Sequence, residues 1–228
     1  ELPLLKFSQS ADVLTIVHKS HAPYALARTS DISWSLSIIS FDANIDYPIS
    51  VAAVKNGAHT GARTYKYTVT AFDPALGVET PMKAVPPSGT YLSTATNCDD
   101  PLTSTNSITI SWSLSSLFGY TVAQLEFNVY REINGVFGYI GTSSGVASFT
   151  DIGYAIDTTD TPSRISESFS ASNTWPGAIT YYQQRLIFAN TPDDVEKVVG
   201  SRVGNFYDFS VSSPIQSDDS FSFKMAGS

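Results

Sequence analysis

Apolar residues recur at every second position over most of the chain. Trp34, Leu36 and Ile38 alternate with serines, and Ile108, Ile110 and Trp112 alternate with threonine and serine. A period of two puts each trio on one face of a strand, the face expected to be buried. Residues 11–41 read as a three-stranded meander: 13–17, then 24–28 after a turn at Pro23, then 34–41. Strand text continues at 49–54 and at 64–72, where Tyr65, Tyr67, Val69 and Ala71 share a face, with a turn over 73–77. Pro81, Pro86, Pro87 and Gly89 mark a boundary, because proline fixes its φ and donates no amide to a ladder. Strands resume at 107–112, 125–131 and 136–140, the last two joined by Asn134 and Gly135, a pair that favours a hairpin turn. The polar run 157–162 reads as a linker. Strand text then covers 179–189, 195–199 and 200–209, with a turn at 190–194. No window carries three turns of amphipathic helix, so the expected class is all-β.

Segments 1–41 and 166–228 each hold too few strands to close a barrel or propeller, yet each has a one-sided apolar face that must be covered. The two are expected to pack on each other as a discontinuous, partial propeller-like β body. Two inserted sandwich-like modules, 42–88 and 89–165, would leave and return at neighbouring points, since domain ends tend to lie close together. A full sandwich of the immunoglobulin type takes roughly 90 to 100 residues, so these modules are short or share strands.

About a quarter of the chain is Ser or Thr, which suits strands and turns. The net charge of −8 disfavours an electrostatic grip on nucleic acid or anionic lipid and excludes a basic DNA-reading domain. Segments 1–41 and 42–88 are neutral, whereas 89–165 carries −5 and 166–228 carries −3. The single cysteine, Cys98, excludes an internal disulfide framework and a cysteine-based zinc cluster within this chain. Apolar runs fall far short of the roughly 20 residues of a membrane helix, and no signal-peptide pattern opens the chain. Its first residue is Glu1, which suggests a fragment or a processed product.

Candidate chemistry is sparse. Residues 141–145 match a nucleophile-elbow spacing around Ser143, but strand text follows and all three histidines lie upstream, so a hairpin loop is expected. His18 and His21 could offer imidazoles to a metal, yet their spacing suits neither a strand face nor a helix face, and no acidic ligand lies close by. The pairs Asp99–Asp100, Asp193–Asp194 and Asp218–Asp219 read as solvated turns, with a loop calcium site as the alternative. No catalytic, cofactor or metal residue is assigned. Trp112 reads as core, and Trp175, beside Pro176 and Gly177, as an exposed turn residue and an interface candidate. Strand periodicity sets Gln184 with Tyr182, Leu186 and Phe188 on the more apolar side, where an unmet amide costs on the order of 1–3 kcal/mol. A structural network of Gln184, Arg185 and Arg202 is therefore expected.

Residues 108–112 and 127–131 resemble the second and third strands of a fibronectin type III or immunoglobulin-like sandwich, and 65–71 resembles a late strand of one. The flanks resemble the tail hub or nozzle proteins of short-tailed bacteriophages, also described as genome-stabilisation proteins. That resemblance rests on Asp12, Val13, Leu14, His18, Pro23, Leu26, Ala27, Arg28, Trp34 and Leu36 upstream. Downstream it rests on Pro176, the run Tyr182 to Ala189, Ser201, Arg202, Gly204, Phe206, Phe209, Asp218 and Asp219. The resemblance implies a propeller-like β body interrupted by sandwich insertions, in proteins about twice this length. It also implies a non-enzymatic virion part: a homo-oligomeric tail ring that contacts other tail and portal proteins and lets packaged DNA pass without sequence-specific binding. Two alternatives remain open, a secreted carbohydrate-binding or adhesin module and a glycoside hydrolase fragment.

Overall fold

The computed structural model describes residues 2–41, 45–82, 92–165 and 169–225. The boundary residues Pro86, Pro87 and Gly89 lie outside them. Among the described residues the elements are strands and two single-turn 3-10 segments, so the chain is all-β as expected. Two compact units divide it: Glu1–Ala43, Ile165–Val211 and Gln216–Ser228 form one, and Asn44–Arg164 with Ser212–Ile215 form the other.

The first unit opens with β1 (Lys6–Ser10), β2 (Val13–His18), β3 (His21–Ser30) and β4 (Ser33–Ile38), an antiparallel meander in that order. It holds one strand more than the pattern predicted. Pro23 sits inside β3; the turn falls at Lys19 and Ser20.

The second unit begins with β5 (Pro48–Asn56), β6 (Arg63–Asp73) and β7 (Val78–Glu79), then adds β8 (Leu92–Cys98), β9 (Ser107–Leu114), β10 (Glu126–Ile133), β11 (Val136–Ser144) and β12 (Ser148–Asp151). One sheet runs β11-β10-β6-β7 with β8 also on β6, and a second runs β12-β9-β5. Their inner faces share a core that includes Tyr67, Val69, Ile108, Ile110, Trp112, Phe127 and Val129. Strands from both sides of the expected boundary are hydrogen-bonded together: β6 to β10 with Val69 opposite Val129, and β5 to β9 with Ala53 opposite Ile110. Residues 42–88 and 89–165 therefore contribute to one sandwich rather than forming two modules, because neither segment has enough strands to cover its own apolar face. The run 157–162 is no free linker either. Asp157 bridges to Tyr139 on β11, and Thr161 bonds the Ser213 hydroxyl.

The chain then returns through β13 (Arg164–Ile165), β14 (Ala178–Tyr182), β15 (Arg185–Ala189), β16 (Lys197–Gly200), β17 (Ser210–Val211) and β18 (Phe221–Lys224). A four-stranded antiparallel sheet runs β14-β15-β16-β18, and β14 packs against β1 and β2 of the meander. Val17, Ile39 and Phe41 from the first segment share one core with Phe169, Leu186, Phe188, Val199 and Phe209 from the last. Phe41, Phe169 and Phe209 meet Phe188 and one another at 5.0–5.8 Å, mostly edge to face, the arrangement that aligns ring edges with ring faces. Two stretches read as strand are not. Residues 201–209 form turns, with Gly204 at φ +75°, and Gln183 and Gln184 turn the chain between β14 and β15.

Candidate assembly surface and its supporting network

The meander is inside out relative to the sequence pattern. The ladders place Ile38, Tyr24, Ile16 and Phe7 in one cross-strand row and Leu36, Leu26 and Leu14 in the next, with Trp34 opposite Arg28. Directly paired residues share a face, so these side chains form one apolar surface. That surface faces outward: Phe7 is 65% exposed, Trp34 59%, Leu36 61% and Ile38 62%. The expected burial of Trp34, Leu36 and Ile38 is thus corrected. The face that is covered carries Ser8, Thr15, Val17 and Ala25, small or β-branched residues that let β14 approach closely. Thr15 is fully buried there and its hydroxyl meets the Tyr181 hydroxyl at 2.9 Å. β4 lies at the sheet edge, and every residue from Ser33 to Ile38 is exposed.

Behind this unit's other sheet, two arginines fix the closing loops. Arg185 Nη1 donates to the carbonyls of Ser201 and Asp219, and Nη2 donates to that of Ser217. Its guanidinium also lies 5.5 Å over the Phe221 ring. Arg202, 5% exposed, pairs with Asp218 at 2.7 Å and Asp219 at 3.2 Å. The Arg202 hydrogen bond holds the Asp218 carboxyl below its ordinary range. Asp219 is buried and also accepts from the Gln216 amide, so it is a built anchor, while Asp218 stays half-exposed in the turn beside it. Gln184 joins only through its backbone: its carbonyl accepts from the Gly204 amide at 2.8 Å, while its side chain is exposed. The reason is the turn, which takes Gln183 and Gln184 out of strand alternation at φ +46° and +58°. Trp175 is half-buried in the loop before β14 rather than exposed.

The remaining candidates have structural partners. Ser143 donates to the carbonyls of Val146 and Ser148 where the chain crosses from β11 in one sheet to β12 in the other. His18 and His21 face each other across the β2–β3 turn with ring centroids 5.2 Å apart, and His18 Nδ1 accepts from the Ser20 amide. Asp99 accepts from the amides of Thr60 and Gly61, led by the Thr60 bond in holding its carboxyl low, and from Asn106. Asp100 accepts from the Tyr65 hydroxyl; Asp193 accepts from Thr191, and Asp194 pairs with Lys224 at 2.7 Å.

Three carboxylate sites escaped the sequence pattern, all within the sandwich. Burial works against the Asp46 carboxylate, but the Ser115 hydroxyl and the amides of Tyr120, Leu117 and Phe118 outweigh it and hold its pKa down. Asp151 accepts from Arg131 and from the buried Tyr67 hydroxyl, and Arg131 stacks 5.5 Å from the Tyr65 ring. Burial, the Asp100 hydrogen bond and its charge push the Tyr65 hydroxyl up to about 12. Glu79 gathers the Thr70 and Tyr130 hydroxyls and the Asn128 amide. Nearby, burial first and then the Glu79 and Asp157 charges push Asp160 up to about 6. A single acidic residue per site carries no periodic signal, which is why the sequence did not show them. Among the described residues no three His, Cys, Asp or Glu side chains group as metal ligands. A cavity of about 220 Å³ lined by Met82, Val136, Phe137, Thr161, Pro162 and Arg164 holds no acid–base pair. No family model matches the chain, and no curated protein matches it.

Proposed function

We propose that the chain is a non-enzymatic structural component of a phage tail, a part of a hub or nozzle ring that retains the genome and lets DNA pass. The observation that carries this reading is the division of labour along the chain. Segments from both ends share one phenylalanine-rich core, and the sandwich is inserted between them. That is the organisation the resemblance implies, a β body interrupted by an insertion. The strand pairings also favour a fibronectin type III or immunoglobulin-like reading of the insertion, with β9 between β5 and β12, and β10 between β6 and β11. Its departure is chain order, since β5 and β6 precede the strands that resemble the second and third. The net charge of −8 suits a lumen that DNA traverses without adhering, because phosphate contacts need basic groups. A propeller-like relation among the four-stranded sheets and a virion location belong to the same proposal.

The outward apolar face supports assembly, since contiguous exposed apolar surface of this kind marks a contact site. Electron microscopy of the full chain tests the ring: closed rings of uniform diameter are expected, and a species that never closes overturns it. One observation favours a second reading, a carbohydrate-binding module. Trp34 is 59% exposed on an apolar sheet face, as a sugar-stacking platform requires. Glycan-array binding lost in Trp34→Ala would establish that reading instead.

A further inference from the structure

We propose that the outer face of the β1–β4 meander is the surface on which a second copy of this chain docks. The inference stands on the sheet itself: a face that meets its own twin closes a two-fold pair, and the ring reading needs a second, different contact besides.

The first argument is area. Phe7, Trp34, Leu36 and Ile38 together expose on the order of 500 Å² of apolar side chain, and the partly buried Leu14, Ile16, Tyr24 and Leu26 extend the same rows. A standard interface takes ~800 Å² from each partner, so this one face is close to sufficient. A lone exposed leucine needs no explanation; one complete apolar cross-strand row beside a second that is apolar from Leu36 to Leu14 and ends at Gln9 does.

The second argument is charge. Two chains of −8 repel over most of their surface, and an apolar contact survives only where that repulsion is absent. Residues 1–41 are neutral, with three basic and three acidic residues. The one charged side chain among the ladder pairs of β4, Arg28, is already matched by Asp31 at 2.8 Å. A basic or acidic partner would find no complementary field here, whereas an identical neutral face meets no penalty.

The third argument is the edge. β4 reads Ser-Trp-Ser-Leu-Ser-Ile, with no lysine, proline or other charge to discourage pairing. Monomeric proteins blunt such edges; one left open and exposed on both faces is built to be covered.

The test uses the full 228-residue chain. Sedimentation across a concentration series should show reversible self-association, and Leu36→Lys, which sets a charge at the centre of the face, should weaken it at least tenfold. Hydrogen exchange over residues 33–38 of the unaltered chain should slow as concentration rises, a readout that does not depend on the variant folding. Association unchanged in Leu36→Lys, with unchanged exchange at 33–38, overturns this surface while leaving a ring built by other contacts standing. Association lost in Leu36→Lys, where the unaltered chain forms pairs and never rings, supports the surface and removes the tail reading. A chain that stays monomeric at every concentration overturns the proposal, as does protection of 33–38 that appears only with added glycan or lipid vesicles.

Discussion

The sandwich and the meander carry the same sequence signal and use it in opposite ways. In the sandwich, Ile108, Ile110 and Trp112 on β9 point into the core, and Phe127 and Val129 on β10 meet them. In the meander, Trp34, Leu36 and Ile38 alternate just as strictly and point to solvent, while threonine, alanine and valine line the covered side. Alternation therefore fixes which residues share a face, and the neighbouring layer decides which face is covered. The polar groups differ in the same sense. The sandwich matches buried charges between its strands, as at Arg131 and Asp151, whereas the split body matches its buried Arg202 with the 218–219 loop.

The sharpest way to break this contrast is at the Arg131–Asp151 pair. Arg131→Ala leaves the fully buried Asp151 with the Tyr67 hydroxyl but without its counter-charge. Stripping one member from a buried pair costs about 3–5 kcal/mol, which urea unfolding measures directly. Trp34→Ser, Leu36→Ser and Ile38→Ser in the meander should each change the stability of the single chain by less than about 0.5 kcal/mol, since they expose no new core. If the surface changes cost as much as the buried one, the outward assignment of that face is wrong.

Arg185→Ala comes next. It removes three donors to the carbonyls of Ser201, Asp219 and Ser217 and uncovers Phe221. Bonds from a charged donor contribute about 1.5–3 kcal/mol each in favourable cases, but these carbonyls can turn to water, so a net loss of about 2 kcal/mol is expected in the melt. Gln184→Ala should leave the melt unchanged, because only its backbone carbonyl participates. Equal losses at both positions would restore the side-chain network that the strand pattern implied.

Much of this was legible in the sequence, and the failures share a cause. Most strand positions, the Asn134–Gly135 hairpin and the Asp73 turn follow from local pattern, whereas that pattern groups Arg202 with Gln184 and Arg185 and does not show its bridge to Asp218 and Asp219. Gln183 and Gln184 did not read as a turn, because neither is a turn former and the run from Ile179 to Ala189 is otherwise continuous strand text. The shared sandwich was hidden for a different reason. Its sheets join residues separated by the proline-rich boundary, and pairing across that distance leaves no trace in a local window. The buried carboxylates were equally invisible, each being one residue met by partners from distant strands.

A smaller effect is expected from pH. Asp160 titrates near 3.8 when unfolded and at about 6 when folded, raised by burial and by the charges of Glu79 and Asp157. The folded chain thus holds this proton more tightly than the unfolded one. Its contribution is full below about pH 4 and is lost as the pH climbs to about 6. Because the side chain is partly exposed, screening keeps the change small, under about 1 kcal/mol. Asp160→Asn should flatten stability over pH 4 to 6; a slope that persists assigns it to another group of the sandwich.

The two hairpins give the finest comparison. Asn134 and Gly135 join β10 to β11 at φ +53° and +83°, and Gln183 and Gln184 join β14 to β15 at +46° and +58°. Both are two-residue loops with two left-handed positions, the geometry whose twist matches the flanking strands. Asparagine and glycine enter that region at little cost, whereas glutamine has a Cβ crowded by its own carbonyl and no short side chain to compensate. The second hairpin is held in spite of its residues, by the Gln184 carbonyl bond to Gly204 and by Arg185 beside it. Replacing Gln183 with Asn and Gln184 with Gly keeps that carbonyl and relieves the strain. A gain of about 0.5 kcal/mol in urea unfolding is expected, offset in part by the freedom glycine adds to the unfolded chain. A loss instead would mean that the exposed glutamine side chains hold the turn, and that the sandwich hairpin and this one are built on different terms.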